Sequence, residues 1–253
     1  MSQTDRDTTD FGFREVPRGQ KASLVREVFD SVAPKYDLMN DLMSLGVHRI
    51  WKRIFVNAIG CSPRETLLDL AGGTGDIAFG AIARGAGHVI LTDVNAEMLE
   101  VGRKRALDRG IVPGSHGGIE FAVVDAEHIP LPDRSVDKVS IAFGLRNCTD
   151  KDAVLREARR VLRLGGRFHC LEFSKFEIAA LSQLYEAWNF RVLPEIGARV
   201  AGDRGSYEYL AESIAKFPDQ PTLASMMERA GLERVAYRNL SGGIVAIHTG
   251  WRL

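Results

Sequence analysis

The chain has 253 residues, with 33 basic and 33 acidic side chains, 45% hydrophobic residues and a formal net charge of zero. That balance removes any bulk electrostatic case for a nucleic-acid partner, and the length suits one α/β domain of about 170–180 residues with helical additions. Cys61, Cys148 and Cys170 are far apart and form no CxxC, so neither a disulfide framework nor a metal site is expected. The N-terminus, MSQTDRDTTD, is polar and acidic, unlike a signal peptide, and no run of about 18 apolar residues occurs; the expectation is a cytoplasmic protein.

Residues 1–20 read as a loose tail, and 21–253 as one domain. Within that domain, 21–60 reads as N-terminal helices, since Val25, Val28, Phe29 and Val32 recur at helical spacing, as do Ile50, Ile54, Phe55, Ala58 and Ile59. Pro34 should separate the two groups. Five short apolar runs follow as predicted strands: TLLDLA (66–71), HVILTDV (88–94), IEFAVVD (119–125), SVDKVSIAF (135–143) and RFHCLEFS (167–174). Helical patterns lie between several of them, near 75–84, 96–108 and 151–163, the last stopped by Gly165-Gly166. Residues 175–217 interrupt this alternation with two helical stretches, SQLYEAWNFRVLP and SYEYLAESIAKF, predicted to be inserted over the ligand edge. A helix over 221–231 and two strands, ERVAYRNL and GGIVAIHTGWRL, complete the chain. Strands alternating with helices mean a mostly parallel sheet, covered on both faces, with its strand ends on one edge. Ligands bind at that edge, beside the first strand.

The stretch Asp69-Leu70-Ala71-Gly72-Gly73-Thr74-Gly75-Asp76 leaves the first strand and opens a helix. Gly72 and its neighbours permit a tight turn and close backbone approach to a ligand. Asp93 ends the second strand, where a carboxylate can accept from ribose hydroxyls, and Asp125-Ala126 ends the third, where it can flank an adenine ring. The glycines formally fit a dinucleotide fingerprint, so NAD is an alternative. Asp69 and Asp76, however, would repel a diphosphate and suit a ligand with an ammonium and a sulfonium, which is S-adenosylmethionine. Asp76 could equally be a helix cap, Asp69 only a brace for the loop, and Ser140 merely a buried hydroxyl.

Two longer stretches narrow the reading. Tyr36-Asp37-Leu38-Met39-Asn40-Asp41-Leu42-Met43-Ser44-Leu45-Gly46-Val47-His48-Arg49-Ile50-Trp51 and Arg160-Val161-Leu162-Arg163-Leu164-Gly165-Gly166-Arg167-Phe168-His169-Cys170-Leu171-Glu172-Phe173-Ser174 resemble signatures of the ubiquinone/menaquinone biosynthesis C-methyltransferases, the UbiE type. The resemblance continues through Phe143–Asn147, Ser206–Leu210 and Lys216–Gln220, and departs at Leu164, where that family usually has proline. It implies a Rossmann-like class I methyltransferase fold with a seven-stranded, mostly parallel sheet whose last strand is antiparallel. It implies cofactor contacts at Thr74, Asp93, Asp125-Ala126 and Ser140. It further implies a polyprenylated benzoquinol or demethylmenaquinol as acceptor, and roles for Arg146, Asn147 and Tyr36 in organising a catalytic water.

A quinol ring carbon becomes nucleophilic when its neighbouring hydroxyl loses a proton, which at a phenol pKa of about 10 needs help at neutral pH. Arginine stays protonated, so Arg146 is assigned with Asn147 to the developing phenolate, with a plain surface or salt-bridge role as the alternative; Tyr36, Asp37 and His48 remain alternatives as water-relayed proton acceptors, with packing the favoured role for His48. The apolar residues of 178–196, among them Leu184 and Trp188, are expected to cover the substrate tail. Peripheral contact with a membrane or a biosynthetic complex, and a homodimer, stay open. So do two other functions: methylation of another small phenolic or lipid acceptor, and a catalytically silent S-adenosylmethionine-binding protein.

Overall fold

A computed structural model describes residues 7–32, 41, 44, 46–112, 118–176, 195 and 204–253. Its strands are β1 (Thr8–Phe11), β2 (Arg14–Pro17), β3 (Thr66–Leu70), β4 (His88–Asp93), β5 (Ile119–Val123), β6 (Val136–Ala142), β7 (Leu162–Phe173), β8 (Glu233–Leu240) and β9 (Val245–Trp251). The helices are α1 (Arg18–Val32), α2 (His48–Ile59), α3 (Asp76–Ile82), α4 (Ala96–Asp108), α5 (Lys151–Val161), α6 (Arg204–Lys216) and α7 (Gln220–Arg229). A 3-10 turn at Leu145–Asn147 follows β6.

Seven strands form one sheet in the order β5-β4-β3-β6-β7-β9-β8. The pairs from β5 to β7 are parallel, whereas β9 runs antiparallel to both neighbours, so the last strand is the reversed one. Burial on both faces explains the apolar runs. Leu67 faces one core with Val89, Leu91 and Leu171, beneath α2 and α3; Leu68 and Leu70 face the other with Val139 and Ile141, beneath α5 and α7. Val154, Leu155, Ala158 and Val161 of α5 are all fully buried, and each of the larger ones contributes roughly 1.5–3 kcal/mol of apolar transfer. Polar caps start the helices: Asn95 accepts from the Glu97 and Met98 amides, Asp150 from Ala153, and Asp219 from Thr222.

Two expectations change here. The segment 1–20, read as a loose tail, contains the hairpin β1–β2, closed by a two-residue Gly12-Phe13 loop, and α1 already begins at Arg18. The hairpin is held from far along the chain, because the Phe11 ring stacks on Tyr209 of α6 at 4.3 Å and the Phe13 amide donates to Glu212 at 3.0 Å. The helix expected to run to 163 stops at Val161, where the chain passes into β7 through an irregular stretch containing Leu164, which is exposed, and Gly165 at φ +78°. Pro34 lies outside the described residues. No described helix is long and apolar enough to cross a membrane.

Candidate active site

The parallel strands end on one edge, and the segments leaving β3, β4, β5 and β6 meet there. The first is the glycine loop. Asp93 fixes it: one carboxylate oxygen accepts from the Gly73 amide and the other from the Asn95 amide, both at 2.9 Å. Gly73 sits at φ +54°, a conformation that glycine adopts without strain. Burial raises the Asp93 carboxyl above its usual value, against the pull of those amides. Thr74 is buried, and its hydroxyl accepts from Arg105 at 2.6 Å.

Asp69 lies under the loop and is wholly buried. Its Oδ1 accepts from Ser140 at 2.6 Å, while Oδ2 has no hydrogen-bond partner. Burial pushes this carboxyl up to about 7, although the Ser140 hydroxyl and the Ala78 amide pull it down. A Cβ at Gly72 would stand only 2.8 Å from that orphaned oxygen. A side-chain-free backbone over an unsatisfied buried carboxylate fits a ligand that brings a positive group. The donor set therefore suits S-adenosylmethionine, whose ammonium would meet Asp69 and whose ribose would meet Asp93.

Asp125 and Ala126 follow β5. Ala126 is buried; the half-exposed Asp125 carboxylate accepts from the Glu127 amide at 2.9 Å and meets His128 at 3.2 Å. Glu127 then accepts from the Thr149 and Asp150 amides at 2.6 and 2.9 Å, tying this loop to the one after β6.

The β6 side supplies the second half of the site. β3 and β6 are hydrogen-bonded neighbours, and Gly144 approaches the glycine loop so closely that a Cβ there would lie 2.6 Å from that of Ala71. Ala71 and Phe143, which directly follow these two strands, both hold positive φ (48° and 56°), strain of about 1–3 kcal/mol each that surrounding contacts must offset. Two residues beyond Gly144, Arg146 is buried against Glu172 of β7. Its Nη1 donates to Glu172 at 2.9 Å and also to the Phe143 carbonyl, and its amide reaches the other carboxylate oxygen at 3.2 Å. Glu172 additionally accepts from the Phe173 amide at 2.9 Å. The Arg146 Nε is buried without a partner. Asn147 accepts from the Tyr209 hydroxyl at 3.1 Å, and burial raises the pKa of that phenol.

Several expectations need adjusting. Ser140 is wholly buried and its hydroxyl is spent on Asp69, so it braces a carboxylate and does not face the cleft. Asp76 forms no side-chain cap bond and its charge is matched by Lys52 at 2.7 Å and Arg105 at 2.8 Å. Burial opposes its ionisation, yet those two cations hold its carboxyl below the usual range. The charge argument for S-adenosylmethionine over a diphosphate therefore rests on Asp69 alone. His48 is buried with Nδ1 at 2.9 Å from Ser44 and 3.6 Å from Asp41, a packed and partnered ring whose pKa burial lowers. Tyr36 and Asp37 lie outside the described residues, as does 178–196 apart from Glu195. Glu172, Tyr209 and Glu127 were given no role from sequence, although a lone carboxylate inside the apolar run Cys170–Phe173 is a readable signal.

A profile of the ubiE/COQ5 methyltransferase family matches residues 13–252. The chain is 65% identical over its full length to a protein of Acidiphilium cryptum, covering all of both, and 54% identical to one of Hahella chejuensis over 98% of each. Both relatives are called ubiquinone/menaquinone biosynthesis C-methyltransferase UbiE. Among solved structures, an S-adenosylmethionine-dependent methyltransferase of Thermotoga maritima superposes with TM-score 0.62 at 18% identity, covering 90% of this chain and 99% of that one. Phosphoethanolamine N-methyltransferase 2 of Haemonchus contortus, solved with S-adenosyl-L-methionine, gives 0.60 at 13% identity over 80% of this chain and 52% of its own. At such identities these two structures speak for the fold.

Proposed function

The chain belongs to the ubiE/COQ5 methyltransferase family, and on that premise we propose that it methylates a ring carbon of a polyprenylated benzoquinol or demethylmenaquinol in ubiquinone or menaquinone synthesis. It is an S-adenosylmethionine-dependent C-methyltransferase, and the bound cofactor supplies a methyl group activated on a sulfonium. The observation that carries the acceptor reading is the buried Arg146–Glu172 pair, standing beside the loop that would hold the cofactor.

On the cofactor side, Asp69 would take the ammonium and Asp93 the ribose, with Thr74, Gly72 and the Asp125-Ala126 pair completing the cradle. Ser140 acts through Asp69, by holding one of its oxygens. On the acceptor side, the ring hydroxyl next to the reacting carbon must shed its proton as the carbon attacks. Arg146 cannot take that proton at any ordinary pH. Its fixed cation instead stabilises the developing phenolate, an effect that is large where water is excluded and the group needs no reorganisation. Glu172 holds the guanidinium in place, so Arg146 arrives oriented, and its buried Nε is left without a partner. Asn147 gives its carbonyl to Tyr209, which leaves its amide N–H groups for the acceptor oxygen or a water. The proton leaves to water. Tyr36 and Asp37 are the relay candidates, since His48 is engaged by Ser44 and Asp41.

The reading is tested by incubating purified protein with methyl-labelled S-adenosylmethionine and a short-tailed quinol of each type. Label on a ring carbon, lost in Arg146→Ala, supports it. Label on oxygen, or none with either quinol while the cofactor binds, refutes it.

A further inference from the structure

An open groove of about 350 Å³ lies between α2 and α3. Arg49, Lys52 and Arg53 of α2, Arg84 just beyond α3, and Arg105 of α4 line it; Asp76 is the carboxylate among its described lining residues. Asp76 pairs with Lys52 and Arg105, and Arg49 pairs with Asp41 at 2.6 Å. Lys52, Arg105 and Arg49 are thus engaged, which leaves Arg53 and Arg84 as the further cations among the described lining residues, on a chain whose formal net charge is zero. Arg53 is exposed, and Arg84 donates to neutral oxygens, those of Asn57 at 2.6 Å and Gly80 at 3.2 Å. Both are exposed, and among the described residues neither has a carboxylate partner.

The same helix carries an exposed apolar side chain. Ile50 is 55% exposed, next to Arg49 and one turn from Arg53. An exposed aliphatic side chain one turn from an exposed guanidinium suits a helix that lies on a lipid interface, with the cation at the phosphates and the apolar residue below it. Nucleic acid would use the cations and leave Ile50 unexplained. The groove also adjoins the reaction cleft. Trp51 of α2 donates to Ser241 at 2.8 Å, its ring lies 6.4 Å from Phe143, and Arg105 reaches Thr74 of the glycine loop.

We infer that this groove and the first two turns of α2 form a docking surface for an anionic phospholipid membrane, with headgroup phosphates seated at Arg53 and Arg84. The inference builds on the quinol reading: a polyprenylated acceptor resides in the bilayer, and no described helix is long and apolar enough to cross one. Docking by α2 would bring the cleft to the surface that holds the acceptor. Guanidinium forks match phosphate oxygens in pairs, and such attraction is screened by salt.

The test is co-sedimentation of the full chain with vesicles of phosphatidylcholine, with or without about one third phosphatidylglycerol, at low and high salt. Binding should be at least about tenfold tighter to the anionic vesicles and should fall with salt. Arg53→Glu, an exposed change that disturbs no described contact, should weaken it about tenfold, and Arg84→Glu and Ile50→Ser should weaken it too. Turnover of a tail-less soluble quinol should stay within about twofold of the unsubstituted protein, since none of the three touches the cleft. Equal binding to both vesicle types, or undiminished binding by Arg53→Glu, overturns the inference. So does retention of inorganic phosphate or RNA in place of vesicles, which would identify a small-anion or nucleic-acid site. The sedimentation assay needs neither cofactor nor quinol. Vesicle binding without methyl transfer would therefore sink the functional reading alone, and transfer without vesicle binding would sink the docking surface alone.

Discussion

Replacing Glu172 by Gln probes the acceptor half of the site at its least accessible point. The carboxylate is 1% exposed, the Arg146 side chain 4%, and the two meet at 2.9 Å. Glu172 also receives the Arg146 and Phe173 amides, so both of its oxygens are acceptors. Glutamine preserves the shape but must turn an NH₂ group toward one of these donors. It also strips a buried guanidinium of its counter-ion. Breaking one partner of a buried pair costs about 3–5 kcal/mol. With a chain of this size losing roughly 2–4 °C per kcal/mol, the midpoint should fall by about 6–20 °C. Cofactor affinity should stay near its starting value, because Asp93 and the glycine loop are untouched, whereas turnover should drop about a hundredfold as Arg146 loses its orientation. The double variant Arg146→Met with Glu172→Leu should recover most of the stability and none of the turnover, since apolar replacements of a buried pair are often neutral. Urea unfolding, titration with S-adenosylmethionine and a labelled-methyl assay measure the three quantities. A Glu172→Gln protein within about 1 kcal/mol of the original, turning over within about threefold, would refute the claim that this pair holds the catalytic cation.

Other expectations concern single groups. Asp93→Asn should weaken S-adenosylmethionine binding by about tenfold or more, because Asp93 anchors Gly73 and, on the proposed reading, would face the ribose; unchanged affinity by titration would contradict this. Asp69 ionises near the ordinary value of 3.8 when unfolded and near 7 when folded without ligand, so folding takes up a proton and stability falls as pH rises through that window. The difference between the unsubstituted protein and Asp69→Asn should thus change by up to roughly 4 kcal/mol from pH 4 to 8, and cofactor affinity should rise over the same window in the original only. A pH-independent difference between the two proteins would remove Asp69 from the ligand argument. His169 is buried with neither ring nitrogen partnered, and burial holds it down to about 3, so it opposes the folded state as pH falls from 6.5 toward that value. His169→Leu should widen stability on the acid side, and identical acid denaturation curves would show the ring contributes nothing there.

The central sheet was legible because strands buried on both faces write themselves as continuous apolar runs. The predicted strands overlap β3 to β6 closely, and the helix predicted over 96–108 and the strand ERVAYRNL match α4 and β8 residue for residue. Local glycine and carboxylate positions in the same way marked the edge at which β3, β4 and β5 end. What stayed hidden depends on partners distant in the chain. The β1–β2 hairpin is stabilised by α6, with Phe13 and Glu212 separated by 199 residues. Tyr209 meets Asn147 across 62 positions, and Glu172 meets Arg146 across 26. The misreading of Asp76 has the same origin: a carboxylate at a helix start invites a capping or ligand role until Lys52 and Arg105 arrive from other helices. Ser140 stands in register with Asp69, a pairing that only the parallel alignment of β3 and β6 reveals.

The most direct measurement compares the unsubstituted protein with Arg146→Lys, assayed with S-adenosylmethionine and a singly prenylated demethylnaphthoquinol or methoxybenzoquinol, with the product's methyl position read by NMR. Lysine keeps the charge but cannot hold Glu172 and the acceptor oxygen with one planar fork. The expected result is carbon-methylated quinol from the unsubstituted protein, turnover reduced more than about tenfold in Arg146→Lys, and cofactor affinity unchanged between them. Methylation on oxygen, or a lysine variant that turns over normally, would contradict the account.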